Sequence, residues 1–236
     1  MSRVEEGKKL DLERIIFIGR TFEEYLDMFS LSVQELKGKK ILDCPAGACS
    51  FTAMANTLGM DVTACDIAYY HSIDNLEKKG YQDIEHAMEQ MEHVKNKFVW
   101  DYFKNIEGLR MHRVSALKSC ANSMRESSER YVPVTLPTLP FQDEEFDILL
   151  SAHFLFTYAD RLDYDFHKNT IHELVRVSKE EIRIFPLVDL AGNRYQHLDR
   201  LKQDLMDIGC IVEEMKVPYE FQANAHTMLK ITKNQN

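Results

Sequence analysis

Cysteine is sparse in this 236-residue sequence, and its positions form no recognisable pattern. The five cysteines, at positions 44, 49, 65, 120 and 210, are odd in number, and no two of them form a CxxC pair. A disulfide framework or a structural zinc site needs paired or closely spaced cysteines, so the sequence disfavours both. Free cysteines in or beside buried strands behave as small apolar residues. We therefore predict a reducing, cytoplasmic environment.

Long apolar runs and a surplus of positive charge are also missing. No segment approaches the roughly 18–20 apolar residues of a membrane span. The first fourteen residues, MSRVEEGKKLDLER, contain no apolar signal core. Lysine and arginine number 29 against 38 aspartates and glutamates, which gives a formal net charge of −9. Binding to nucleic acid or an anionic membrane needs a basic face, so we expect neither as a partner.

Short apolar runs alternate with helical patterns along the chain. Seven runs have strand character: KKILDC, DVTACD, RYVPVTL, FDILLSA, EIRIFPLV, CIVEEMKVP and HTMLKIT. Helical spacing predicts helices at 21–36, 50–58, 165–177 and 197–208, with two more inside 71–130. This alternation predicts an α/β fold with a Rossmann-like, doubly wound and mostly parallel sheet. No helical pattern separates the last two strands, so they are expected to pair antiparallel.

The loop that follows the first strand contains a single glycine. In KKILDCPAGACSFTAMANTLGMDVTACDIAYY, a GxGxxG fingerprint would place glycines at positions 45, 47 and 50, but only Gly47 is present. Asp66 closes the second strand nineteen residues later, where a carboxylate can accept hydrogen bonds from two ribose hydroxyls. A dinucleotide needs a pyrophosphate cradle, whereas S-adenosylmethionine has no phosphate. The single glycine therefore favours the methyl donor over a nicotinamide cofactor.

Several motifs in order resemble the class I S-adenosylmethionine-dependent methyltransferases. ILDCPAGACSF followed by VTACDIA is similar to the first two motifs of that family. LPFQDEEFDILLSAHFLF resembles the next two, and IHELVRVSKEEIRIFPLV resembles the helix and strand that follow. The resemblance covers the chain from about residue 20. It implies a seven-stranded sheet with an antiparallel last strand.

The resemblance also implies which residues bind the cofactor. Asp43, Ala46 and Gly47 would border its methionine part, Asp66 its ribose and Ile67 its adenine. Pro45 and Cys49 replace glycines of the usual loop. Thr135 replaces an acid that often contacts the adenine amino group, so the backbone near Leu136 is expected to make that contact instead. The expected pocket also includes three further residues: Arg20 at the methionine carboxylate, Tyr25 closing the site, and Ser151 on the wall. The alternative for Arg20 and Tyr25 is that their segment is only a capping helix, with the arginine on the surface.

His153 is the candidate catalytic residue, because it follows the fourth strand, where the methyl group would lie in this fold. It would act as a base for an oxygen or nitrogen acceptor. Its alternative role is structural. The sequence SAHF at this point differs from the Asn- or Asp-Pro-Pro-aromatic sequence of enzymes that methylate base amines. His86, Glu89 and His93 share one helical face, but we expect no metal there, because such spacing is common by chance.

We predict one domain spanning 1–236, with 71–130 as a helical insertion between the second and third strands. By analogy with related methyltransferases, the insertion caps the pocket and selects the substrate through Trp100, Tyr102 and Phe103. Its alternative role is an oligomer interface, and the chain is expected to be a monomer or a homodimer. The predicted function is methyl transfer to a small molecule. The alternatives are a cofactor-binding protein without transfer activity and a nicotinamide-dependent oxidoreductase.

Overall fold

Seven strands form a single sheet. They are β1 (Lys40–Asp43), β2 (Asp61–Asp66), β3 (Tyr131–Pro133), β4 (Phe146–Ala152), β5 (Ser178–Phe185), β6 (Cys210–Lys216) and β7 (Thr227–Lys233). The structure is a computed structural model that describes residues 16–234. The first fourteen residues, predicted to contain no apolar signal core, lie outside the described residues. The strand order is β3-β2-β1-β4-β5-β7-β6. All neighbouring pairs through β5 are parallel, and β7 runs antiparallel to β5 and β6. The predicted fold class is confirmed.

Helices cover both faces of the sheet. They are α1 (Phe22–Met28), α2 (Val33–Leu36), α3 (Phe51–Thr57), α4 (Ile73–Val94), α5 (Ile106–Glu126), α6 (Tyr164–Val177) and α7 (Leu198–Asp207). Successive strand residues point to opposite faces. Ile41 accordingly packs in the core that holds residues of α1, α3, α4 and α5, while Leu42 packs in the core of α6 and α7. This double burial explains why the central strands are nearly continuous apolar runs.

The helix predicted at 21–36 is two helices. Thr21 caps α1 and pairs with Glu24 in a capping box, while Ser32 and Glu35 form the same arrangement at α2. Between them the chain turns at Ser30, which adopts a φ of +49°. The prediction of a single helix was wrong because the sequence contains a second helix start, the capping box of Ser32 and Glu35, inside the predicted range.

The insertion consists of α4 and α5, which lie between β2 and β3 in the chain. In the sequence, apolar residues at helical spacing (Ala87, Met91, Val94, Phe98 and Tyr102) predict a helix that reaches Tyr102, but α4 ends at Val94. Beyond it, Phe98, Trp100 and Phe103 pack around Phe221, with ring centroids 4.7, 5.3 and 4.8 Å from the Phe221 ring. Because Phe221 lies between β6 and β7, a distant part of the chain ends the helix, and local spacing cannot predict that.

All five cysteines are free and buried. Within residues 16–234, none of the helices combines the length and apolar character that a membrane crossing requires.

Candidate functional site

The loop between β1 and α3 is fixed to the adjacent strand and open on its other side. The N–H of Ala46 donates to the carbonyl of Cys65 in β2 at 3.0 Å. Gly47 has a φ of +54°, in the left-handed region that favours glycine. A Cβ built on Gly47 would meet only Oδ2 of Asp66, at 4.0 Å. Gly47 therefore provides both the turn and an uncovered backbone surface.

Asp66 holds Gly47 in place. Its Oδ2 accepts a hydrogen bond from the Gly47 N–H and its Oδ1 from the Ala68 N–H, each at 2.8 Å. Tyr69 donates its hydroxyl to the Gly47 carbonyl at 2.9 Å, so both polar groups of Gly47 are engaged. Burial raises the pKa of Asp66, while its backbone hydrogen bonds lower it. Each carboxylate oxygen has a second lone pair that can accept a ligand hydroxyl.

Asp43 and Tyr25 are fully buried behind the loop. The Tyr25 hydroxyl donates to Oδ1 of Asp43 at 3.0 Å, and its ring stacks on Phe51 at 4.9 Å. Oδ2 of Asp43 has no hydrogen-bond partner among residues 16–234. Burial raises the pKa of Asp43 to about 8, although the hydrogen bond from Tyr25 lowers it. Tyr25 thus supports Asp43 from behind and does not close the site, contrary to the prediction.

A cavity of about 360 Å³, which we call the strand-edge cavity, lies beyond the ends of β2 and β3. One side contains Pro45, Asp66, Ile67, Val134, Thr135 and Leu136, and the other contains Phe154, Tyr158, Arg161, Leu162 and Phe166, with Ile16 also on the wall. The predicted residues Ile67, Thr135 and Leu136 come together here. Most of the second side was missed because the segment after β4 has no regular period.

A second cavity, of about 320 Å³, shares five lining residues with the first: Ile16, Pro45, Asp66, Phe154 and Tyr158. We call it the insertion cavity. Its wall also includes Arg20, Ala46, Gly47, Cys49, His153 and Thr157, together with Met88, Met91, Leu109 and Arg113 from the insertion helices and Phe98, Leu190, Phe221 and Gln222. The insertion therefore borders the cleft. Trp100, Tyr102 and Phe103 line neither of these two cavities. They belong to the aromatic cluster behind the wall.

Two arginines line the insertion cavity. Arg20 donates from Nη1 to the carbonyl of Gly19 at 3.4 Å, and its Nε has no partner within the described part of the chain. Nη1 of Arg113 donates to both carboxylate oxygens of Glu24, at 2.8 and 2.7 Å. Tyr219 also donates its hydroxyl to Glu24, at 2.9 Å. The capping box of Thr21 and Glu24 is a local sequence pattern, whereas the contact of Glu24 with Arg113 was missed because the two residues are 89 positions apart.

His153 lies where β4 meets the insertion cavity. Its backbone adopts a φ of +50°, which is uncommon for a residue other than glycine. Its N–H donates to the Phe185 carbonyl at 2.7 Å, and its ring packs edge-on against the Phe185 ring at 5.3 Å. Nδ1 is buried, with no hydrogen-bond partner among the described residues. Burial, followed by the charges of Arg20 and Arg113, lowers the pKa of His153 well below 6.5, so the ring is neutral at pH 7.

Other predicted residues lie elsewhere. Ser151 is buried within β4 and lines neither of the two cavities. His86, Glu89 and His93 are exposed on α4. Within residues 16–234, no three His, Cys, Asp or Glu side chains are grouped so that they could hold a metal ion.

Comparison with known proteins identifies a full-length relative. The protein MJ0045 of Methanocaldococcus jannaschii, which is uncharacterized, is 35% identical over 223 residues, covering 94% of this chain and 98% of its own. No family model matches the sequence.

Solved structures show weaker likeness. Magnesium protoporphyrin IX methyltransferase of Synechocystis PCC 6803, with bound S-adenosylmethionine, has a TM-score of 0.47 and 12% identity; the match covers 85% of this chain and 73% of that one. The 1,6-didemethyltoxoflavin-N1-methyltransferase of Burkholderia thailandensis has a TM-score of 0.46 and 14% identity, and the match covers 86% of this chain and 76% of that one. The fold assignment therefore rests on the strand order of this chain.

Proposed function

The chain belongs to the same protein family as its Methanocaldococcus jannaschii relative and has the class I methyltransferase fold, and from this premise we propose that it binds S-adenosylmethionine and transfers the methyl group to a small molecule. The observation that carries the proposal is the pairing of Asp66 with Gly47. This pair places a carboxylate with free lone pairs beside an uncovered glycine at the mouth of two joined cavities.

The residues present fit the proposed cofactor. Asp66 would accept hydrogen bonds from the ribose hydroxyls, and the apolar wall of Ile67, Val134 and Leu136 would enclose the adenine. Arg20, whose Nε has no partner among residues 16–234, would bind the methionine carboxylate. When bound, S-adenosylmethionine supplies an electrophilic methyl group on a sulfonium. The chain would contribute alignment and the exclusion of water.

His153 would act on the acceptor. Its imidazole is neutral at pH 7 and its buried Nδ1 has no partner among the described residues, so a ring nitrogen is left for a hydrogen bond with the acceptor. Burial and the charges of Arg20 and Arg113 disfavour the imidazolium, so His153 would be a weak base that serves an acceptor with an acidic proton. The contacts with Phe185 fix both the backbone and the ring of His153, which orients the free nitrogen. A base held in this way is required if the acceptor reaches the site as a neutral hydroxyl or an ammonium.

Cavity size and charge support a small-molecule acceptor. Volumes of about 360 and 320 Å³ fall within the lower part of the roughly 300–1,000 Å³ range of small-molecule pockets. The net charge of −9 opposes binding to nucleic acid.

Calorimetric titration with S-adenosylmethionine, S-adenosylhomocysteine and NAD in parallel tests the proposal. We expect micromolar binding of the first two and no binding of NAD. Asp66→Asn should weaken binding by about tenfold or more. A carboxylate can accept a hydroxyl hydrogen bond at each of its two oxygens, whereas the side-chain amide has only one accepting oxygen. Asp61→Asn, at the exposed start of the same strand, is the matched control and should bind normally. Binding of NAD alone, or of none of the three, would contradict the proposal.

Transfer activity needs its own readout. Incubation of the full chain with S-adenosylmethionine and a panel of small acceptors, followed by detection of S-adenosylhomocysteine, distinguishes an enzyme from a binding protein. Product that accumulates only with an acceptor is the expected result. Tight cofactor binding without product across the panel would favour the binding protein.

A further inference from the structure

The far wall of the insertion cavity is apolar. Met88 and Met91 of α4 and Leu109 of α5 line it, together with Phe98 and Phe221. The rings of Phe98 and Phe221 lie 4.7 Å apart, centroid to centroid. Flexible thioethers beside fixed aromatic rings suit an aromatic body, which gains free energy when it leaves water. An apolar cavity of about 150 Å³ holds one benzene molecule, so a cavity of about 320 Å³ has room for one ring beside part of a cofactor.

The charged side chains of this cavity are already paired or assigned. Among residues 16–234, those that line it are Arg20, Asp66 and Arg113. Arg113 is only 3% exposed and donates to both carboxylate oxygens of Glu24, at 2.8 and 2.7 Å, so its charge is neutralised inside the protein. Arg20 and Asp66 are assigned to the methionine carboxylate and the ribose of the cofactor, a step that rests on the proposed function. A charged acceptor would therefore leave water without a counter-charge at this wall, which is costly.

Two buried polar atoms of the same cavity have no partner. Nδ1 of His153 and Oγ1 of Thr157 both lack a hydrogen bond within the described part of the chain. Both side chains line the insertion cavity, and Thr157 is only 6% exposed. A buried polar atom without a partner is costly. In the tautomer protonated at Nε2, Nδ1 accepts a hydrogen bond, and the threonine hydroxyl donates one. A ligand hydroxyl placed between them would satisfy both atoms, because it donates one hydrogen bond and accepts another.

We propose that the acceptor is an uncharged phenol, whose ring packs against Met88, Met91 and Phe221 and whose hydroxyl lies between His153 and Thr157. On transfer, the hydroxyl oxygen forms a bond to the methyl carbon, and the bond from that carbon to sulfur breaks with its electron pair left on sulfur. The hydroxyl proton passes to Nδ1 of His153 and then to water. A phenol suits this weak base, because its proton is more acidic than that of an aliphatic alcohol. Thr157 selects for the hydroxyl, since a ligand without one leaves two buried polar atoms unpaired.

Four single-ring probes test this proposal: p-cresol, toluene, 4-hydroxybenzoate and 4-(aminomethyl)phenol. The first is a neutral phenol, the second lacks the hydroxyl, and the last two add a negative or a positive charge. Their binding to the full chain is measured by ligand-observed NMR, first without cofactor and then with saturating S-adenosylhomocysteine. We expect p-cresol to bind about fivefold more tightly than toluene and about tenfold more tightly than either charged probe.

The same order is expected in both conditions, because the wall and both polar atoms belong to the chain itself. A failure to bind S-adenosylhomocysteine would contradict the proposed function, and the probe series without cofactor would still test the class of acceptor. Tightest binding by a charged probe, equal binding of p-cresol and toluene, or no binding of any probe would overturn the proposal.

Two threonine variants locate the hydroxyl. Thr157→Val keeps the shape of the side chain but removes its hydroxyl, so the preference for p-cresol over toluene should be largely lost. Thr170→Val is the matched control, because Thr170 is 1% exposed and its Oγ1 also has no partner among residues 16–234, but it lines neither cavity. That variant should retain the preference, and circular dichroism checks that both variants fold. A folded Thr157→Val protein that still prefers p-cresol to the same extent would show that the hydroxyl is bound elsewhere and would overturn the proposal.

Discussion

The two ends of the cleft are built in different ways. At the loop end, Gly47 and Asp66 are nineteen positions apart and are held by backbone hydrogen bonds between neighbouring strands. At the insertion end, Arg113 depends on Glu24, 89 positions away, and Tyr219 reaches the same carboxylate from 195 positions away. The first end is specified by adjacent strands, and the second by side chains that meet only after the whole chain has folded.

Because of this difference, the two ends should respond differently to substitution. Backbone hydrogen bonds at the loop end depend on conformation, so glycine geometry and a single carboxylate matter most there. The insertion end contains a buried ion pair, and removal of one partner leaves an uncompensated charge. Substitutions at the loop end should therefore act mainly on ligand binding, and those at the insertion end mainly on stability.

Glu24→Gln should give the largest effect. Arg113 loses its buried partner, so we expect a loss of about 3–5 kcal/mol in the free energy of unfolding, measured with urea. Glu35→Gln is the matched control, because Glu35 occupies the same capping-box position at the exposed helix α2. That variant should change stability by about 0.5 kcal/mol or less. Equal losses in the two variants would show that the cap, and not the ion pair, stabilises α1.

The pH dependence of stability tests Asp43 at the loop end. Between the ordinary pKa of 3.8 and its folded pKa of about 8, the folded state holds a proton that the unfolded state has lost. Stability from this group is therefore full below 3.8 and falls as pH rises towards 8. In Asp43→Asn, the decrease in the free energy of unfolding between pH 3.8 and pH 8 should be smaller than in the wild type by about 2 kcal/mol or more, because one unit of pKa shift corresponds to about 1.4 kcal/mol. Parallel pH profiles of the two proteins in urea unfolding would contradict the assignment.

A comparison of Gly47→Ala with Gly38→Ala separates the effect of backbone strain on stability from the effect of the added methyl group on ligand binding. Both glycines have positive φ, +54° and +73°, so each substitution should cost about 1–2 kcal/mol of stability. Only the Gly47 methyl enters the cleft, so S-adenosylhomocysteine affinity should fall by about tenfold in that variant alone. Comparable binding by both variants in calorimetry would show that the open side of Gly47 is not used.

His153, where the two ends meet, should give the smallest effect on stability. Its pKa is lowered in the folded state, so its contribution is full above the unfolded value of 6.5 and is lost as pH falls below it. His153→Gln should reduce the loss of stability below pH 6.5, with little change above it. A thermal melt series in pH steps measures this difference. If His153→Gln loses as much stability below pH 6.5 as the wild type does, other titrating groups cause that loss.

The elements that follow local patterns could be predicted from sequence. FDILLSA matches β4 residue for residue, and DVTACD matches β2, because apolar runs of that length are buried strands in a parallel sheet. Asp66 was predicted to bind the ribose of the same cofactor that the Gly47 loop borders, and the ends of neighbouring parallel strands do meet at one edge of the sheet. The contact with the Gly47 N–H follows from that geometry.

The elements shaped by distant contacts could not be predicted. Phe98 continues the helical spacing of α4, yet it leaves the helix to pack on Phe221. Tyr25 was expected over the cofactor, but its hydroxyl is directed to Asp43 beneath the loop. In each case a side chain far along the sequence, or a buried polar group that needs a partner, determines the position.

The contacts around Gly47 also affect how a ligand would bind. Asp66 and Tyr69 hold the N–H and the carbonyl of this residue, and Ala46 is tied to β2, so the loop is ordered before any ligand arrives. Conformational entropy that a flexible loop would lose on association is already lost on folding. Binding at this end should consequently proceed with little rearrangement, and its rate should be governed by access to the cleft.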